Sequence, residues 1–175
     1  MTRYCALLRG INVGGINIKM ADLRSIFDEL GFTDVRTVLA SGNVLFGSEN
    51  TDARALKATI EQALSDRFGY EAWVFVLDVH SIADVVAAYP FEPDRDGWHA
   101  YVVFVEGADV LDSLLTLRSD LDNGLERIEG GDSVVYWEVE RGHTLKSQFG
   151  KLTGRAKFKA VTTTRNLRTL RKLLP

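Results

Sequence analysis

Tyr4-Cys5-Ala6-Leu7-Leu8-Arg9-Gly10-Ile11-Asn12-Val13-Gly14-Gly15-Ile16-Asn17-Ile18-Lys19 decides how the chain begins to fold. Five consecutive apolar residues, Tyr4 to Leu8, read as a strand covered on both faces. Glycines 10, 14 and 15 interrupt that run. From Met20 onward, Leu23, Ile26, Phe27 and Leu30 recur at helical spacing, with Gly31 placed to end the helix. The quoted stretch is therefore a long connection from a first strand to a first helix.

Outward from it, residues 35–40 and 44–47 read as strands, joined by the turn Ser41-Gly42-Asn43. Thr51 or Asp52 caps a second helix that carries Leu56, Ile60, Ala63, Leu64 and Phe68 on one side and ends at Gly69. Residues 72–77 form a further strand. This order, strand-helix-strand-strand-helix-strand, is the split βαβ of the ferredoxin-like fold. A short helix over 82–89 and a loop over 90–97, holding two of the three prolines, precede a second start. A strand over 99–105, a helix over 110–118 and a hairpin from 125–129 to 133–138 follow, then helical segments near 145–152 and 165–174. The expected fold is α+β: two ferredoxin-like lobes packed together, 1–89 and 98–175, with a C-terminal helical extension. In this reading the second lobe is βαββα, its last element a helix, and the two lobes can share one core.

With 46% hydrophobic and 26% charged residues, the 175-residue chain has the composition of a globular protein able to bury one good core or two small ones. No apolar run approaches the roughly 18 residues of a membrane span, and the N-terminus lacks the pattern of a signal peptide. The single Cys5 excludes an internal disulfide and any multi-cysteine metal site. A cytoplasmic protein without membrane association is the expectation. Charge is divided unevenly. Residues 141–175 hold ten Lys or Arg and no acid, whereas residues 1–140 hold eleven cations and all 24 acids, a net of −13. Such a tail either folds back on the acidic body or presents cations to phosphate. Its leucines need a surface to bury against, which favours the first.

Leu7-Leu8-Arg9-Gly10-Ile11-Asn12-Val13-Gly14-Gly15, then Lys19-Met20-Ala21-Asp22-Leu23, then Ser41-Gly42-Asn43-Val44, resemble the bacterial domain of unknown function 1697 family. Thr163-Thr164-Arg165-Asn166 is similar to the same family's second signature. The resemblance implies a two-lobed α+β protein with ferredoxin-like halves, and it implies no activity. The family continues its tail signature with Trp, Asn, Thr and Val, where this chain has Leu167, Arg168, Thr169 and Leu170. It also places Gln before the Ser-Gly-Asn turn, where this chain has Ala40. Roles of that Trp or Gln side chain are not carried over; roles of the turn backbones are.

The loop over 9–19 has the make-up of an anion cradle. Gly10, Gly14 and Gly15 let consecutive N–H groups converge, and the following helix N-terminus adds a favourable dipole. Arg9 and Lys19 add charge, while Asn12 and Asn17 add donors. It is not a phosphate-binding Walker loop, because Ile16 and Asn17 stand where Lys and Ser or Thr are required, and it is no dinucleotide fingerprint. Ser41 and Asn43 are secondary candidates, since the reading places their hairpin at the opposite end of the sheet from the exit of the first strand. Thr162, Thr163 and Thr164 offer caps to a last helix, where Arg165 and Asn166 would meet a phosphate and Arg168 and Lys172 continue a basic stripe.

Enzyme templates fail. His80, His99 and His143 lack metal-ligand spacing, Cys5 sits mid-strand, and no Gly-x-Ser-x-Gly elbow occurs. Asp78 and His80, two apart, are weighed as an acid–base pair and set aside, as are the solvated Asp94 and Asp96. RNA binding by such sheets uses aromatics on strands one and three, and only Tyr4 and Phe46 are available. The expected function is binding of a small anionic, phosphate-containing ligand at 9–19, with Thr163, Thr164, Arg165 and Asn166 contributing. The alternatives are a nucleic-acid-binding protein using the basic tail, which is not favoured, and a non-catalytic interaction protein. Catalytic residues, cofactor and oligomeric state are left unassigned, and no metal site is expected.

Overall fold

The computed structural model describes residues 1–12, 15–158 and 160–175. They form two compact units, Met1–Ile82 with Lys172–Pro175, and Ala83–Arg171.

In the first unit, β1 (Thr2–Leu8), α1 (Met20–Glu29), β2 (Thr33–Val38), β3 (Asn43–Ser48), α2 (Ala53–Phe68) and β4 (Val74–Asp78) are followed by α3 (Val79–Ala87). The four strands form an antiparallel sheet in the order β2-β3-β1-β4. Alternation along the strands sends Tyr4, Ala6 and Leu8 of β1 and Val44 and Phe46 of β3 to one face, into a core with Leu23, Ile26 and Phe27 of α1 and Leu56, Ile60 and Leu64 of α2. Each such large side chain contributes about 1.5–3 kcal/mol by leaving water. Phe46 centres the cluster, its ring 4.5 Å from that of Phe32, 5.4 Å from Phe27 and 5.7 Å from Tyr4. Both aromatics weighed for RNA stacking therefore lie in the core. Asp52, not Thr51, caps α2, accepting from the N–H groups of Arg54 and Ala55 at 3.0 and 3.1 Å. Gly69, at φ 66°, closes the same helix in the left-handed conformation.

The second unit repeats the plan. β5 (Trp98–Val105), α4 (Ala108–Leu115), β6 (Glu126–Gly130), β7 (Val134–Glu140), α5 (Gln148–Thr153) and β8 (Thr162–Asn166) precede a short α6 (Leu167–Arg171). Its antiparallel sheet has the order β6-β7-β5-β8. This corrects the βαββα reading, because residues 162–166 complete the lobe as a strand. They pair with β5 from Tyr101↔Asn166 to Val105↔Thr162. Three consecutive β-branched threonines suit a pleated strand better than a helix start. The helical extension is correspondingly short, and Asn166 Oδ1 accepts from the Arg168 N–H at 2.9 Å at its start.

Residues 88–97 belong to the second unit and do not separate the two. The Tyr89 ring meets Tyr136 edge-on at 5.7 Å, and Arg95 pairs with Glu138 at 3.1 Å, which fastens this segment to β7.

Candidate functional site

Chain direction decides which loops meet. β1 and β3 are antiparallel, and Leu7 stands opposite Asn43. The end of β1 is therefore beside the start of β3, and the β2–β3 hairpin lies at the same end of the sheet as the glycine loop. The expectation of opposite ends is overturned by this pairing. The Leu8 N–H donates to the Gly42 carbonyl at 2.9 Å, and a Cβ placed on Gly42 would stand 2.8 Å from Ile11 Cδ1. The two turns are pressed together.

Asn12 builds the loop itself. At φ 57° it occupies the left-handed region that asparagine tolerates. Its N–H donates to the Ile16 carbonyl at 2.7 Å, and its Oδ1 accepts from the Ile18 N–H at 3.0 Å. Its Nδ2 donates to the carbonyls of Ile18 and Ala40 at 3.2 and 2.8 Å. Both amide hydrogens are engaged within the chain, so Asn12 is a brace and not a ligand donor. Asn43 is similar: fully buried, it donates to the Val38 carbonyl at 2.7 Å and to Ser41 Oγ at 2.9 Å. Ile11 and Ile18, 2% and 4% exposed, anchor the loop in the core of the first unit.

The outward-facing part comprises Gly10, Gly15, Asn17 and Lys19 of the loop and Ser41 of the hairpin, all exposed. Gly14, with Val13, lies outside the described residues. Arg9 is half-buried, and burial holds its guanidinium below the usual arginine value, although the group is cationic at neutral pH. α1 starts directly after Lys19, whose side chain makes no capping bond. The first N–H groups of this ten-residue helix are consequently without a side-chain acceptor at its start. Asp22 supplies one acid in that first turn.

The tail candidates lie in the second unit, on β8. Thr163 and Arg165 share one face of the strand, and Thr164 and Asn166 the other. Arg165 is 6% exposed, and its Nη1 donates to Thr163 Oγ1 at 2.7 Å and to the Thr164 carbonyl at 3.0 Å. Arg165 therefore lies within β8, two residues before α6, and its Nη1 is engaged by the strand itself. Arg171, outside the stripe named from the sequence, is paired with Asp94 at 3.2 Å.

Asp78, weighed with His80 as an acid–base pair and set aside, has a structural role. Asp78 caps α3, with Oδ1 accepting from the Ser81 N–H and Oδ2 from the Ser81 hydroxyl, both at 2.9 Å. The Ser81 N–H is the main cause that holds the Asp78 carboxyl below its ordinary value, against an opposing effect of burial. Because the folded value is the lower one, this stabilisation is present above the unfolded value of roughly 4 and is lost as pH falls through the folded one. Asp78→Ala is expected to cost about 1 kcal/mol at neutral pH. Asp78→Asn, which still caps, is expected to keep most of that stability and to flatten the acid limb, as read by urea midpoints between about pH 2 and 7.

Among the described residues no group of three or more His, Cys, Asp or Glu is placed to hold a metal ion, and no helix is long and apolar enough to cross a membrane. Sequence reading missed Gly42, whose contact with Leu8 and Ile11 joins hairpin to loop. The signal was available in the antiparallel direction of β1 and β3.

Comparison with known proteins agrees with this architecture. A family model described as "Protein of unknown function (DUF1697)" matches residues 1–136. A solved structure, that of the conserved bacterial protein SP0830 from Streptococcus pneumoniae, is 27% identical, with a TM-score of 0.79 over 98% of this chain and 96% of that one. No curated protein matches the chain.

Proposed function

The chain belongs to the family described as protein of unknown function (DUF1697), and from that premise we propose that it binds a small phosphate-containing anion at the loop over 9–19. The observation that carries this reading is a braced loop ending at an uncapped helix. Asn12 and Gly42 fix the backbone from within, while Gly10, Gly15 and Asn17 stay exposed and α1 begins at Lys19 without a side-chain cap. Backbone donors held in place before binding lose little entropy on binding, and the helix start favours negative charge. Arg9 and Lys19 supply the cations. Ser41 is the exposed hydroxyl that the adjoining hairpin offers. No catalytic group is assigned.

A thermal-shift screen of pyrophosphate, nucleotides, sugar phosphates and a short RNA tests the reading. An anion at about 100 times its Kd adds about 2.7 kcal/mol, which raises Tm by several degrees in a chain of this size. Arg9→Ala and Lys19→Ala are each expected to abolish most of that rise. Stabilisation by RNA alone, salt-sensitive and unaffected by these variants, would move the function to the basic tail. If no anion stabilises the protein, the reading fails.

A further inference from the structure

We propose that the first unit carries a second binding site, a cavity of about 700 Å³ beside β2, built for a small organic anion with an apolar body. The volume lies within the range of small-molecule sites. Three guanidinium side chains line it from three different elements: Arg3 from β1, Arg24 from α1 and Arg36 from β2. No common sequence pattern brings them together; the fold does.

Two of the three have internal duties. Arg3 Nη1 donates to the Asp34 carbonyl at 2.8 Å, and Arg24 Nε stands 3.7 Å from Asp28 across one helical turn. The Arg36 side chain has no hydrogen-bond or ion-pair partner among the described residues and is exposed. Counted over side chains, three guanidinium groups face the two carboxylates of Asp28 and Asp34. A guanidinium fork fits carboxylate or phosphate oxygens in pairs, so the Arg36 side chain suits an acidic head group.

The backbone at this place is irregular in a way that regular strand pairing does not require. The register of β2 against β3 shifts between Thr33 and Arg36, and Asp34 within the shift has φ 49°. A bulge re-aims the side chains that follow it, and a left-handed non-glycine residue costs of order 1 kcal/mol or more. After the bulge Arg36 stands opposite Leu45, so the two share a face of the sheet. Leu45, Val79, Leu173 and Leu174 make part of the lining apolar. A lining that mixes guanidinium groups with hydrocarbon suits an acid carried on an aryl or alkyl group.

This site is distinct from the glycine loop. Arg3 pairs with Gly47 near the start of β1, whereas the loop adjoins Leu7 and Asn43 at its end. The two proposals therefore fail separately. Amide NMR titration of the full chain with phenyl phosphate is expected to shift Asp34, Val35 and Arg36. Arg36→Ala is expected to raise Kd about tenfold or more, and Arg24→Ala to raise it less, because that side chain also serves Asp28. Arg9→Ala is expected to change it less than about twofold. Inorganic phosphate is expected to bind about tenfold more weakly, since it covers none of the apolar lining. Equal affinity for inorganic phosphate, shifts confined to residues 10–19, or no shift at about 10 mM phenyl phosphate would each overturn the proposal.

Discussion

Replacing Glu138 by alanine is expected to lower the stability of the second unit by about 3–5 kcal/mol, the range for removing one member of a buried ion cluster. Glu138 is 1% exposed on β7, and its Oε1 accepts from Arg95 Nη1 at 3.1 Å and from Arg127 Nε and Nη2 at 2.8 and 2.7 Å. Arg95 lies over the Trp98 ring at 3.8 Å and Arg127 over Phe91 at 4.8 Å. One carboxylate thus ties β6, β7 and the segment before β5 together. Its loss leaves two cations side by side against aromatic rings. Both arginines are more than a third exposed, so water relieves part of that repulsion and the lower end of the range is expected. Oε2 is buried without a hydrogen-bond partner among the described residues, so the cluster is only half satisfied. It follows that replacing all three charges, with Arg95→Met, Arg127→Met and Glu138→Leu, should cost less than Glu138→Ala alone. Urea unfolding followed by hydrogen exchange in β7 reads both variants. A triple variant less stable than the single one would show that the charges add net stability.

The first unit was largely legible because its elements announce themselves locally. Leu23, Ile26 and Phe27 recur at helical spacing and are the residues α1 buries. Asp52 and Gly69 bound α2 by side-chain and backbone chemistry that depends on a few neighbours. β8 was not legible for the converse reason. Threonine serves equally as a helix cap and as a strand residue, and only pairing with β5, some sixty residues earlier, decides between them. Leu167 and Leu170, both buried at helical spacing, extended the helical reading back across the strand.

The candidate site divides along the same line. That the loop over 9–19 is unusual could be read from its glycines and asparagines. Which of its side chains face outward could not, because Asn12 and Asn17 look alike in sequence, while one is bonded to Ile18 and Ala40 and the other is exposed. The place of the hairpin was derivable. Antiparallel pairing puts the end of β1 beside the start of β3 whatever the residues are. Arg3, Arg24 and Arg36 had no such signal, since nothing local relates positions on two strands and a helix.

Gly42→Ala is the second large effect expected, a loss of about 2–5 kcal/mol. Gly42 has φ 85°, where an L side chain costs about 1–2 kcal/mol. Its added Cβ would also stand 2.9 Å from Leu8 Cβ and 2.8 Å from Ile11 Cδ1. Leu8 and Ile11 are 1% and 2% exposed, so neither has room to retreat, and overpacking of that kind costs about 1–3 kcal/mol more. Gly10 provides the control. It has φ 70°, yet among the described residues no heavy atom beyond its chain neighbours lies within 4 Å of its added Cβ, so Gly10→Ala should show the backbone cost alone. The difference between the two variants in urea midpoint measures how firmly the hairpin is pressed against the loop. Because the Leu8 N–H bonds to the Gly42 carbonyl and Asn12 bonds to Ala40, forcing the turns apart should also displace the braced backbone of residues 9–12. Gly42→Ala is therefore expected to weaken anion binding at the loop even though its side chain touches no ligand, whereas equal losses in Gly10→Ala and Gly42→Ala would mean that the hairpin takes no part in holding the loop.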